Sequence, residues 1–533
     1  MKKCDIKVVN IIFGVLMSLS FVLGYQCEHY GEIRITSVMT YVSFILVAVA
    51  GTVATAFLWK KCGILNSSVS DMSEAAKESW KYCFVCSFAI MWLFYFIVFL
   101  GVYPGFFVYD AQYELMETIT REFTNHQPIF HVLYMGGIIQ GVHAVTGDYN
   151  IAIAVFTLAQ MTFVSLALAL VVREMNREGA LSKRGCIIVS ACFGVFPVLV
   201  MYALCSSKDG VFASFLLLAV LLLRRLVSNP EKFFSNKRDV IFLICSSVGM
   251  MLMRSNGVYA FIVFGIVLIA LMQTKRKETL LSFVIAIVAF FIINKGLLFA
   301  VNGTEYGSRE MLTVPIQQLA RVYSFDEETM SEEQKSELQS FLPANALNHY
   351  NPKCSDLVKV DFNEEYYRDH SADFWKLYMS VGASHPIAYV DAWMMTSYGM
   401  HYPWATIDAY KGNEVFTFTY GDSSYFGYET EEPGYRDSKI PVIDDFYRWL
   451  SLDVTIQRIP VIRLLFSPGF LLWVFLFELG MMIYCGVWRR TLPYVLPLLV
   501  ILTCFLGPVS LVRYSYYLWV LVPMIAIVDR KEE

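Results

Sequence analysis

The chain has 533 residues, of which 56% are hydrophobic and only 17% charged, with a mean hydropathy of +0.51. Soluble domains average about 25% charged residues, so the composition excludes an ordinary soluble protein and predicts a polytopic membrane protein. The formal net charge of −4 says little, because the location of the charges matters more than their sum, and no nucleic-acid partner is expected; many of the cysteines lie inside apolar runs, where a thiol behaves as a small hydrophobe. Cys83 and Cys86 have CxxC spacing but sit within such a run, with no second pair or histidine cluster to complete a metal site.

Residues 1–61 hold two apolar runs, Val8–Tyr25 and Ser37–Leu58. Lys2, Lys3 and Lys7 precede the first and Lys60 and Lys61 close the second, so the positive-inside bias predicts a cytoplasmic N-terminus. The first run lacks a small-residue cleavage site and reads as a retained span. Residues 62–80 read as a cytoplasmic surface helix or linker. A third run, Tyr82–Val102, leads to the outer face and to a first outer loop over residues 103–148.

That loop begins YPGFFVYDAQYELMETITREFTNHQP. Pro104 and Gly105 end any helix leaving the bilayer. Asp110, Glu114 and Glu117 then share one face of a short helix, since side chains three and four apart are neighbours. Carboxylates beside a bilayer are costly and mark functional sites; the plainer alternative for Asp110 is a loop cap. Ile129–Val145 contains His131, Gln140, His143 and three glycines. If it crossed the membrane, every later basic loop would face outward, so it is predicted to lie along the outer interface or to be re-entrant.

The following runs alternate. Ile151–Val172 leads inward to Arg173–Arg184, and Cys186–Leu204, with Gly194 and Pro197 as its one break, leads out to Lys208-Asp209. Gly210–Leu223 returns to Arg224, Arg225, Lys232, Lys237 and Arg238. Val240–Met253 leads out to Arg254-Ser255-Asn256-Gly257, and the next run returns to Lys275, Arg276 and Lys277. Leu280–Val301 closes a core over residues 62–301. Residues 302–458 are polar and too long for a loop. They are predicted to form a mixed extracytoplasmic domain with a helix near Glu327–Leu342 and an aromatic, Gly- and Pro-containing stretch, Tyr398–Tyr435. Residues 459–533 add Val461–Val487 and two further spans joined at Arg513-Tyr514. The fold class expected is an all-α polytopic membrane protein of about twelve spans with both termini cytoplasmic.

Inner loops carry Lys and Arg clusters that the charge bias explains by itself. Outer span ends instead carry single, differing groups: Asp110, Glu114, His126, Lys208, Asp209, Arg254 and Arg513. Polar groups at one depth of one face point to a shared site. Arg and Lys suit phosphate, and Asp110 suits a general base or a metal ligand. The alternatives are a cap for Lys208-Asp209, a turn residue for His126, and snorkelling to lipid headgroups for Arg254 and Arg513.

The order of YPG-x4-Asp110-x-Gln112, His126-Gln127-Pro128, Lys208-Asp209, Arg254-Ser-Asn-Gly257, a large outer domain and Arg513-Tyr514 resembles the GT-C class of membrane glycosyltransferases. The likeness is to bacterial families of unassigned acceptor, and more distantly to protein O-mannosyltransferases and aminoarabinose transferases. It covers Leu100–Ala300 and, loosely, the C-terminal spans. The resemblance implies transfer of a sugar from a polyprenyl-phosphate carrier to an envelope glycan, lipid or protein at the outer membrane surface. It implies Asp110 as the base and Lys208, Arg254 or Arg513 on the lipid phosphate. Tyr109, Gln112, Glu114, His126, Asp209, Asn256 and Tyr514 would complete the substrate site. The resemblance leaves a divalent cation, Mg or Mn, on Asp110 and Glu114 open: some relatives need no metal, and the sequence has Asp-Ala-Gln where others carry Asp-x-Asp or Asp-Glu. The rival expectation is a transporter or flippase of lipid-linked sugars.

Overall fold

The computed structural model describes residues 3–66, 80–305, 307–409, 428, 430–452 and 455–528. Among these the regular elements are all helical; extended pairing is confined to isolated bridges. The mixed character expected of residues 302–458 is therefore not found among the described residues. Much of the aromatic stretch, residues 410–427, and most of the 62–80 linker lie outside them.

Two long apolar helices, α1 (Lys3–Tyr30) and α2 (Val38–Asn66), form a hairpin. It is stitched by Asn10 Nδ2 to Thr52 O at 3.1 Å and Ser18 Oγ to Phe44 O at 2.7 Å. The core follows as α3 (Trp80–Gly101), α4 (Ala111–Thr120), α5 (Ile129–Thr146), α6 (Tyr149–Arg177), α7 (Lys183–Val195), α8 (Pro197–Leu204) and α9 (Asp209–Ser228). It continues with α10 (Pro230–Ser235), α11 (Lys237–Met253), α12 (Ser255–Leu271) and α13 (Arg276–Ala300).

A helical unit then carries α14 (Thr313–Asp326), α15 (Glu332–Phe341), α16 (Ala344–Asn348), α17 (Asp356–Lys359), α18 (Glu364–Asp369), α19 (Ser371–Ser384) and α20 (Pro386–Ser397). It closes on its own core around Leu319, Phe341 and Phe374. The chain ends with α21 (Pro441–Leu452), α22 (Thr455–Arg458), α23 (Ile462–Phe466), α24 (Pro468–Tyr484), α25 (Leu492–Cys504) and α26 (Leu518–Val528). The largest apolar core joins α3, α6 to α9, α11, α12 and α24 to α26.

Seven described helices are long and apolar enough to cross a membrane, or eight if one bent pair is counted as a single span. That pair is α7–α8, expected from sequence as one span and bent by 66°. The physical reason is Pro197, which has no N–H to continue the helical ladder. The run expected at Val461–Val487 is likewise broken, because Ser467-Pro468 ends α23 and restarts the chain as α24.

Helix α5 has 18 residues and is apolar enough to span. Its buried face nonetheless meets Ala152, Ile153 and Phe156, within the first two turns of the 29-residue α6. Tyr134 lies 5.5 Å from Phe156 and His143 3.7 Å from Tyr149.

The end of the bundle that carries Asp110 and Lys208 is set where the chain leaves α3 and α8. Residues 105–108 run parallel to residues 204–206. Phe106 N donates to Leu204 O (3.1 Å), Ser206 N to Phe106 O (2.9 Å), and Val108 N to Ser206 Oγ (3.2 Å). Gly105 makes this approach feasible: its φ is +130°, and a Cβ there would clash with the Thr157 side chain. Gly105→Ala is expected to lower stability by about 1–3 kcal/mol through overpacking and backbone strain. Thermal unfolding of the purified variant checks this; an unchanged midpoint would mean that the gap has room.

Candidate active site

Just beyond the paired strip, Tyr109 turns into the left-handed region at φ +65°, a costly conformation for an aromatic residue. The turn presents Asp110 as the N-cap residue of α4, with Glu114 N donating to Asp110 O at 3.0 Å. The partner strip ends on Lys208, the N-cap residue of α9, whose first residue is Asp209. Backbone pairing of two loops some hundred residues apart thus sets Asp110 against Lys208.

Lys208 Nζ lies 3.1 Å from Asp110 Oδ2 and 3.9 Å from Glu114 Oε1, and it also donates to Gln127 Oε1. Arg513 enters from the short turn Val512–Ser515, with Nη1 3.8 Å from Asp110 Oδ2 and 3.7 Å from Asp209 Oδ2. Arg254, at the α11–α12 corner, pairs with Asp209 Oδ1. Aromatic faces hold both guanidinium groups. Arg513 lies 4.3 Å from the Tyr109 ring centroid and Arg254 4.6 Å from that of Tyr514, a favourable cation–π geometry.

These groups line one wall of a cavity of about 740 Å³. The opposite wall comes from the helical unit: Arg309, Glu310, Asp356, Lys359 and Val360. Lys359, only 6% exposed, bridges Glu310 (2.6 Å) and Asp356 (2.8 Å). Its burial opposes the charge, yet the two carboxylates outweigh that and raise its pKa. At the mouth, α4 turns Tyr113 and Met116 into the cavity rim; with Ile119 they form an apolar face 42–54% exposed.

The sequence-derived candidates divide into three groups. Tyr109, Asp110, His126, Lys208, Asp209, Arg254, Arg513 and Tyr514 all line the cavity. Glu114 lies beneath it, 1% exposed, bonded to His131 Nδ1 and close to Lys208. Gln112 and Asn256 are not among the lining residues, and Asn256 Nδ2 instead donates to Thr503 Oγ1 at 2.8 Å, joining α12 to α25. Sequence reasoning missed the whole far wall. Arg309, Glu310, Asp356 and Lys359 carry no local pattern that separates them from other polar residues of the helical unit. Tyr113 and Gln127 also line the cavity; both stand in the first-loop stretch without a signal of their own.

A divalent ion shared by Asp110 and Glu114 does not fit this arrangement. The Lys208 ammonium stands between the two carboxylates, and a second cation there would meet like-charge repulsion. Among the described residues no group of three or more His, Cys, Asp or Glu is placed to hold a metal.

Electrostatics fix the resting charge of the base candidate. Burial alone would raise the Asp110 pKa, but Lys208 and then Arg513 more than offset it and hold the carboxyl well below its usual range. Burial lowers the pKa of His126, against Glu310 and Asp110, which favour its charged form. A depressed carboxylate stabilises the fold above the unfolded-chain value and loses that contribution as pH falls. Acidification below about pH 4 is therefore expected to lower the unfolding temperature of the wild type more steeply than that of Asp110→Asn. Parallel profiles down to about pH 3 would contradict the pairing.

No curated protein and no solved structure matches the chain. A family model does, over residues 34–533, which includes the whole site and all but the first helix and its turn. The chain therefore belongs to DUF6020, a family of unknown function.

Proposed function

We propose that this protein is a membrane glycosyltransferase that moves a sugar from a polyprenyl-phosphate carrier to a hydroxyl acceptor at the extracytoplasmic membrane surface. The observation that carries the reading is the meeting of Asp110 with Lys208, Arg254 and Arg513 in one cavity at one end of a helical bundle. The volume falls within the ~300–1,000 Å³ usual for small-molecule sites. The exposed apolar face of α4 at the mouth offers a path for a prenyl chain. Helix α9 joins Asp209 at the cavity to Arg224 and Arg225 at its other end. Its 20 residues span about 30 Å, the thickness of a bilayer core. The basic end then faces the cytoplasm and the cavity faces out, with α5 lying along the outer interface.

In the reaction the acceptor oxygen attacks the anomeric carbon. The bond from that carbon to the phosphate oxygen breaks, the acceptor proton passes to Asp110, and the lipid phosphate leaves between Lys208, Arg513 and Arg254. Fixed cations at the leaving group stabilise the charge that develops there. At rest the same cations neutralise Asp110 and Asp209. A donor phosphate that draws Lys208 and Arg513 away removes what depresses the Asp110 pKa, and so strengthens the base as the donor arrives.

A transporter shares two features, the bent α7–α8 pair and Glu478, a carboxylate buried inside apolar α24. Neither lines the cavity, which favours transfer. The test is mass spectrometry of lipid-linked sugars and envelope glycans with and without the gene. It is joined to reconstitution of the purified chain with the lipid-linked sugar that accumulates in the deletion strain. Loss of one envelope glycoform and release of free polyprenyl phosphate in vitro are expected. Unchanged glycan and lipid-linked sugar profiles would overturn the proposal.

A further inference from the structure

The closed end of the α1–α2 hairpin holds a second recess, of about 570 Å³. It is bounded by α1, by α2, and by Tyr402 and Trp404 from the segment that follows α20. The turn between the two helices docks on the helical unit: Ile33 N donates to Asp391 Oδ1 at 2.6 Å, and Arg321 Nη2 to Gly31 O at 3.3 Å. The same unit supplies the far wall of the Asp110 cavity, so the recess and the cavity lie at one end of the bundle.

The lining is graded along the helices. Phe21, Val22 and Val47, set back from the turn, form its apolar part together with Trp404, whose ring lies 5.3 Å from that of Phe21. Toward the turn it becomes polar, with Gln26, Thr40 and Arg34. A buried knot fixes that end. Gln26 is 6% exposed and Thr40 3%. Gln26 Nε2 donates to Thr40 Oγ1 (2.8 Å), Arg34 N to Gln26 Oε1 (2.9 Å), and Thr40 Oγ1 to Arg34 O (2.6 Å). The Arg34 backbone is thus pinned, while its half-exposed guanidinium rests 3.6 Å from the Tyr30 ring centroid, a cation–π contact. Arg34 Nε lies 3.3 Å from Glu32 Oε1, an exposed ion pair that contributes little by itself. A guanidinium carries five N–H donors in a fixed fork, so this contact leaves the Nη pair able to take a ligand.

We infer that this recess binds a phospholipid whose headgroup carries both a phosphate and a primary ammonium. The phosphate takes the Nη pair of Arg34, the ammonium takes the Glu32 carboxylate, and one acyl chain lies over Phe21, Val22 and Val47. Three features select this occupant. A cation and an anion stand side by side at the polar end, which matches a zwitterion better than a singly charged anion. The lining passes from polar to apolar in the order in which a lipid passes from head to chain. Both bounding helices are long and apolar enough to cross a membrane, so lipid is the medium beside the recess. The site does not depend on the transfer reaction proposed for the Asp110 cavity.

The test uses the full chain purified in detergent and stripped of lipid, with phosphatidylethanolamine, phosphatidylglycerol and phosphatidylcholine of the same acyl chains as separate probes. Binding is read by native mass spectrometry and by the shift in unfolding temperature. Wild type is expected to retain phosphatidylethanolamine and to gain thermal stability from it. The other two lipids, which lack the primary ammonium, should bind roughly tenfold more weakly, the effect of one lost charge-assisted hydrogen bond. Arg34→Gln keeps the backbone knot and should weaken phosphatidylethanolamine binding by a similar factor. Glu32→Gln should bring phosphatidylethanolamine down to the level of phosphatidylcholine. Should Arg34→Gln fail to fold, Glu32→Gln, at an exposed side chain outside the knot, carries the test by itself. Equal retention of the three lipids by wild type, a preference for phosphatidylglycerol, or phosphatidylethanolamine binding unchanged in the variants overturns the inference.

Discussion

Asp110→Asn is expected to abolish transfer, lowering the rate by roughly 10²–10⁴-fold, the usual contribution of a positioned base. The amide keeps the volume and the hydrogen-bonding reach of the side chain but accepts no proton. The protein should remain folded, because the Asp110 side chain makes no capping bond to α4 and the backbone hydrogen bonds of the helix are untouched. Donor binding should hold or tighten, since Lys208 (3.1 Å away) and Arg513 (3.8 Å) lose a competing carboxylate. A combination of lost turnover and retained donor affinity separates a base from a structural carboxylate. Normal turnover in a folded Asp110→Asn protein would remove Asp110 from the chemistry.

Arg254→Ala should act on stability as well as on donor binding. Asp209 is 2% exposed and Arg254 15%, so the substitution strips a nearly buried carboxylate of its closest partner. Removing one member of such a pair costs about 3–5 kcal/mol. Arg513, 3.7 Å from the other Asp209 oxygen, remains as a second partner and should keep the loss at the lower end of that range. The double variant Arg254→Ala/Asp209→Asn is expected to recover much of the stability while donor affinity stays low. Thermal unfolding of the two single variants and the double variant checks this. Simple addition of the two single losses would show that the pair is not coupled. Sequence alone reads Arg254 as either a phosphate ligand or a snorkelling residue; the ion pair to a buried partner makes it a structural residue too.

Much of the architecture was legible beforehand because it rests on local physics. Apolar run length gives α1, α2, α3, α6, α9 and α13, and Pro197 marks the bend between α7 and α8. Single polar groups at run ends point to Asp110, Lys208, Arg254 and Arg513, since a charge at the end of an apolar run has few inexpensive explanations. Harder cases failed where the run pattern was ambiguous. Ser467-Pro468 divides a stretch that hydropathy reads as continuous, and residues 302–458 read as a mixed unit although the regular elements of their described part are all helical.

What the sequence determined by itself is a helical membrane protein with lone charged groups at the ends of its apolar runs, because hydropathy and charge placement are local quantities. Only the tertiary structure decided which of those groups meet. Asp110 reaches Lys208 through backbone pairing of loops far apart in the chain, Glu114 is turned under the floor by His131, and Asn256 is drawn away to Thr503. The far wall of Arg309, Glu310, Asp356 and Lys359 exists only once the helical unit closes over the bundle, since no spacing within one segment encodes a contact made between two.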